Sequence, residues 1–304
     1  MKKFIYKKKG IIFHLVVLVV FLLIFCKYSE EITDLKAKLY YIMQDSRMDS
    51  NIDFSDYPQV HHTDGEWCEN TRLIYHACGG IDGLDYTNSK EALENLLEQG
   101  QYFVEVDFMY TSDGTLVCMH NWKDQCNLED ALSLQEFRSK KIYGKYTTMT
   151  AVDLVQYMED YPDLHIIIDT KEEDQVAVVK TLVNLSESRK NVTERFIIQL
   201  YEPGVKNKIQ QIYPFDDCNF LFTTYKFGYR FPNKIMKICY DENITVVTAP
   251  YGVWDEEIRQ LFISKGFVLY EHTVNRPDFA NDSLSKGVQG LYTDFLEPDD
   301  LKIQ

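Results

Sequence analysis

The sequence predicts an α/β protein on a closed (β/α)8 TIM barrel, and three observations predict it. From Leu73 onward, short β-branched and aromatic runs alternate with stretches of helical periodicity, the signature of a parallel sheet with helical crossovers. Eight such strand runs fit the length, a number that closes a barrel rather than leaving an open sheet. An apolar fraction of 45 % with 14 % aromatic residues supplies a sizeable core and excludes disorder as the default state.

In order, the strands are expected at 73–76, 102–107, 165–169, 195–200, 219–224, 244–248, 267–273 and 289–293. Helices are expected near 89–99, 150–160, 174–188, 204–212, 232–242, 254–264 and 277–286. An apparent ninth strand, 115–120, follows the second too closely for a crossover helix. Asp113-Gly114 is a hairpin turn signal, so 108–120 is read as a β-hairpin on the C-terminal rim. Its returning arm brings His120 towards the acids of the second strand.

The N-terminus reads differently. Residues 10–26 form an apolar run behind Lys2, Lys3, Lys7, Lys8 and Lys9, with no small-x-small cleavage pattern. The expectation is a basic cytoplasmic tail at 1–9 and an uncleaved transmembrane signal-anchor at 10–26. A juxtamembrane helix and linker follow at 27–71, and the barrel domain at 72–304. The lysines stay inside, which places the chain at the cell membrane as a single-pass protein with its domain outside. His61 and His62 are read as solvated linker, with no acid or thiol partner at ligand spacing.

The formal charge is −15, and the first 26 residues hold five lysines and no acid, so the remainder carries −15 − 5 = −20. A body that acidic excludes nucleic acid as a partner. Attraction to a phosphate must then be local, from a metal or a placed lysine. Six cysteines lie outside the apolar segment, none in CxxC spacing; pairing and buried free thiols both remain open.

Alternation along a strand puts Glu105 and Asp107 on one face, with Val104 and Val106 on the other. Two carboxylates in a barrel mouth repel unless a cation lies between them. Asp169, ending Ile166-Ile167-Ile168, adds a third. An all-oxygen set favours one hard divalent ion, Mg or Ca, over zinc. The competing salt-bridge reading has one obvious basic partner, Lys171. His76 ends the first strand and His120 the hairpin arm, so both stand at the rim, where barrels carry their chemistry. One can take a proton and the other give one. Lys171 shares the face of Asp169 and could hold a phosphoryl oxygen. Gln199 and Asn275, with Tyr201, Thr224 and Tyr251, follow strand ends and are candidates to line the pocket.

The runs IYHACGG, TNSKEALENLLEQGQYFVEVDFMYTSDGTLVCMHN, IIIDTK and HTVNRPDFANDSLSKGVQGLYTD resemble the glycerophosphodiester phosphodiesterase family, within the phosphatidylinositol phospholipase C-like superfamily. The resemblance covers nearly all of 73–295. It implies that His76 and His120 are the acid–base pair and that Glu105 and Asp107 are metal ligands. Asp169 stands where the family usually has Glu, and Lys171 matches the family's lysine. It implies attack on phosphorus by a neighbouring hydroxyl of the substrate, through a cyclic phosphate. The chain departs from the family pattern at Ala77 (Arg), Thr87 (Glu), Asn121 (Asp) and His272 (Trp). Those losses suit a changed headgroup, or a degenerate surface protein that binds phospholipid or phosphate polymer without turnover.

Overall fold

The computed structural model describes residues 53–62, 66–186, 189–225 and 231–302. The expected tail, membrane span and juxtamembrane helix lie outside the described residues. Among those described, no helix is long and apolar enough to cross a membrane.

All eight expected strands form. They are β1 (Leu73–Tyr75), β2 (Phe103–Tyr110), β3 (His165–Thr170), β4 (Phe196–Leu200), β5 (Phe220–Thr223), β6 (Val246–Pro250), β7 (Val268–His272) and β8 (Gly290–Thr293). Each pairs in parallel with the next, and β1 bonds to both β2 and β8, which closes the barrel. The helices α1 (Lys90–Glu98), α2 (Ala151–Asp160), α3 (Gln175–Ser186), α4 (Val205–Gln210), α5 (Pro232–Asp241), α6 (Glu256–Ser264) and α7 (Pro277–Ser285) fill the seven crossovers. Their starts are set locally. Ser89, Thr150 and Asp255 each accept a backbone N–H of the first turn, and Pro occupies the first position of α5 and α7.

The second crossover carries more than the expected hairpin. β2 runs on to Tyr110 and pairs antiparallel with Leu116–Cys118, as the Asp-Gly turn requires. That arm then pairs with Met149–Thr150, and the chain between forms two short helices, Trp122–Cys126 and Leu134–Ser139. The excursion has its own core of Val117, Met119, Trp122, Leu132, Phe137, Ile142 and Tyr146. Elements of five or six residues carry too little periodicity to read from sequence.

The barrel interior is layered. Ile74, Ile167, Ile197, Leu221 and Val246 fill its middle, with Tyr270 and Tyr292. Tyr270 fits because its neighbour across the seam is Gly290, where a Cβ would lie 2.6 Å from the Tyr270 ring.

Residues 54–62 and 66–71, expected as solvated linker, are a strap and plug across the barrel floor. Phe54 is buried, and its ring and that of Tyr57 pack with Tyr240. Val60 N donates to Lys265 O at 2.8 Å, passing so close that a Cβ on Gly266 would sit 2.4 Å from the Val60 carbonyl. Trp67 then packs on Phe103 and Tyr270, while Cys68 joins the barrel core. His62 does have an acidic partner: its Nδ1 lies 3.3 Å from Glu66. The compact unit therefore extends to Phe54. The strap is irregular, so its apolar residues follow neither the helix nor the strand period and leave no signal in the sequence.

Candidate active site

The C-terminal ends of the strands open into a cavity of about 600 Å³, lined among others by His76, Glu105, His120, Asp169, Lys171 and Gln199. Glu105 and Asp107 point inward from β2, as alternation requires, and the β2–β3 register sets Asp107 opposite Asp169. All three carboxylates are buried, and each offers an oxygen within 4.8 Å of the others'.

The polar surroundings show what this trio lacks. Glu105 Oε2 accepts from Ala77 N at 2.6 Å, made possible by the left-handed turn at Ala77, while Oε1 is buried with no partner. Asp107 Oδ2 accepts from Asn88 Nδ2 at 2.8 Å. Lys171 Nζ bridges Asp107 and Asp169 at 2.8 and 2.9 Å, so the salt-bridge partner foreseen in the sequence is in place. One ammonium does not neutralise three carboxylates. Burial, then Asp107, pushes the Glu105 carboxyl well above its usual range. Burial also opposes ionisation of Asp107, but Lys171, His120 and His76 outweigh it and hold that carboxyl low. An orphaned buried oxygen, a carboxyl forced towards its neutral form and an all-oxygen donor set together fit a hard divalent cation.

His76 and His120 face the same cavity but are held differently. His76 Nδ1 donates to Asp294 Oδ1 at 2.8 Å. Burial alone would lower its pKa, yet the bond to Asp294 and the charges of Glu105 and Asp107 prevail and raise it to about 9. His120 arrives as the hairpin arm predicted, with Met119 N bonded to Asp107 O. Asn121 Nδ2 donates both to Asp124 and to His120 Nδ1, the latter at 2.9 Å, which leaves the proton of the neutral ring on Nε2. Burial keeps its pKa below the ordinary value.

The other expected site residues divide. Gln199 lines the cavity and donates to the Tyr201 hydroxyl at 3.0 Å; that hydroxyl in turn bonds Asp169. Asn275 stands behind the wall. Its Nδ2 donates to Asp294 Oδ2 at 2.6 Å and its Oδ1 accepts from Asp294 N at 2.7 Å, so it fixes the carboxylate that fixes His76. Asp294, Tyr86 and Asn88 had no assigned role in the sequence. Asp294 ends the quoted Thr-Asp motif, a signal that was present. The Tyr86 ring lies 4.6 Å from that of His76 and 4.4 Å from that of His120. It follows a loop with no periodic signal. His272 also lines the mouth; burial, with His76 and Lys171, pushes its pKa down to about 4.

A parallel barrel with two rim histidines over a buried carboxylate trio sets acid–base groups beside a candidate metal site. The sequence profile of the glycerophosphoryl diester phosphodiesterase family matches residues 80–298. The chain belongs to that family and is a phosphoric diester hydrolase. No curated protein matches it by sequence. Among solved structures, a glycerophosphodiester phosphodiesterase from Galdieria sulphuraria superposes with TM-score 0.62, at 15 % identity, over 73 % of this chain and 93 % of its own. One from Agrobacterium tumefaciens gives TM-score 0.60, 16 % identity, and 74 % and 94 % coverage. An Oleispira antarctica phosphodiesterase, solved with its product sn-glycerol-3-phosphate, gives TM-score 0.60, 14 % identity, and 74 % and 93 % coverage. At such identity these likenesses bear on the fold alone.

Proposed function

We propose that the protein hydrolyses a glycerol- or polyol-linked phosphodiester, such as a lipid headgroup or an envelope polymer, by acid–base catalysis between His76 and His120. The observation that carries this is the unequal wiring of the two imidazoles. His76, its Nδ1–H held by Asp294 and its pKa raised to about 9, keeps both ring protons at neutral pH and gives the one on Nε2 to the leaving oxygen. His120, which burial keeps neutral, takes the proton of the attacking hydroxyl on the ring nitrogen that bears its lone pair. A neighbouring hydroxyl of the substrate closes on phosphorus as the P–O bond to the leaving group breaks, and water then opens the cyclic phosphate. Glu105, Asp107 and Asp169 would hold one Mg or Ca ion, whose chemistry is to polarise a phosphoryl oxygen. Lys171, paired with two of those carboxylates, would share that oxygen's charge.

The test is hydrolysis of a panel of glycerophosphodiesters and lysophospholipids with Mg or Ca, then with chelator. Activity should vanish with chelator and fall by roughly 10²–10⁴-fold in His120→Ala. Metal binding with no turnover across the panel would instead favour the binding protein that Ala77, Thr87 and Asn121 suggest. We further propose that residues 10–26 anchor the chain with its domain outside the cell. Intact cells should then hydrolyse an added, impermeant substrate; activity seen only after lysis overturns this placement.

A further inference from the structure

At the opposite end of the barrel from the mouth, the strap and plug gather a second group of donors of different chemistry. His62 Nδ1 lies 3.3 Å from Glu66 Oε2, and Cys68 Sγ lies 4.0 Å from the same oxygen. Donor atoms of the three residues all fall within 4.8 Å of one another. Bonds of about 2.0–2.3 Å at tetrahedral angles hold zinc ligands roughly 3.3–3.8 Å apart, so small side-chain shifts complete that geometry.

A second observation points to a cation. His62 Nε2 is 2.9 Å from the Gly266 carbonyl, which can only accept, so Nε2 carries a proton. Nδ1 faces the Glu66 carboxylate oxygen at 3.3 Å. Metal-bound histidines have this arrangement, one nitrogen on the metal and the other N–H on a backbone carbonyl. Cys68 is fully buried, so its sulfur meets protein rather than solvent. Trp67 Nε1 donates to Cys218 O at 2.7 Å, seating Cys218 beside the plug. Burial, followed by the charge of Glu66, raises both thiols, and Cys218 adds to the rise at Cys68.

We propose that His62, Glu66 and Cys68 form a structural site for zinc or a similarly soft divalent ion, which ties the N-terminal strap to the barrel floor. The mixed nitrogen, oxygen and sulfur set selects against the hard ion suited to the mouth, so the two ends of one barrel sort metals by chemistry.

The experiment uses the full chain, purified under reducing conditions, stripped of metal and titrated with Zn2+ and, separately, Co2+. One zinc should bind per chain, raising the melting temperature, and cobalt should develop thiolate charge-transfer absorption. Both should persist in Asp169→Asn and weaken by at least about tenfold in Cys68→Ser and His62→Gln. If Cys68→Ser does not fold, His62→Gln decides, with its own zinc-free melting temperature as the baseline for the zinc-induced rise, His62 being partly exposed. Absence of the cobalt–thiolate band, zinc lost with Asp169→Asn but kept with His62→Gln, or a Cys68–Cys218 disulfide in non-reduced peptides would each overturn the site.

Discussion

At the residue scale, the proposed acid–base histidine His76 is held through side chains that stand behind the cavity wall. Asn275 holds Asp294 through both its amide atoms, and Asp294 holds His76. Asp294→Asn keeps the shape but removes the charge that orients and supports the imidazole. We expect kcat to fall on the order of 10²–10⁴-fold while the melting temperature barely moves. Steady-state kinetics beside thermal melting check this, and an unchanged kcat would remove Asp294 from the mechanism. Asn275 was read as a pocket residue because it follows a strand end; its place one shell back is not recoverable from position along the chain. His76, His120, Glu105, Asp107 and Asp169 were legible because strand alternation and the Asp113-Gly114 turn fix where they point.

At the element scale, the strands were readable because Ile166-Ile167-Ile168 or Phe196-Ile197-Ile198 can only be buried on both faces. The helix starts rest on subtler devices. Asp153 accepts from Thr150 N and Oγ1 at 2.9 and 2.7 Å, and pairs with Lys90 of α1 at 2.8 Å. Burial opposes its ionisation, but Lys90 and Thr150 win, and its pKa lies below the usual value. A carboxyl whose folded pKa is depressed stabilises the fold above its unfolded pKa and loses that contribution as pH falls through the folded one. Asp153→Asn should therefore cost about 1 kcal/mol at neutral pH, the side chain being partly exposed. The gap to the unaltered protein should close as pH drops below about 3.9. Urea unfolding at several pH values measures it, and a gap independent of pH would refute the linkage.

At the scale of the whole molecule, the floor is as much a part of the barrel as the mouth. Trp67 covers Phe103 and Tyr270, whose rings would otherwise meet water through the bottom of the barrel. Trp67→Ala should cost about 3 kcal/mol, and a fragment beginning at residue 72 should melt well below one beginning at 53. Comparing the two fragments by calorimetry tests this; equal melting temperatures would return the strap to the status of a tether.

The strap also sets an order of events during synthesis. Its partners, Ser264, Lys265 and Gly266, lie more than 200 residues downstream. A ribosome has made the strap long before anything exists for it to dock on, so the first segment of the domain to emerge is among the last to settle. Until then Gln59, Val60 and His62 have nothing to bond, and a nascent chain stalled before residue 264 presents the undocked strap to any chaperone or protease that waits there.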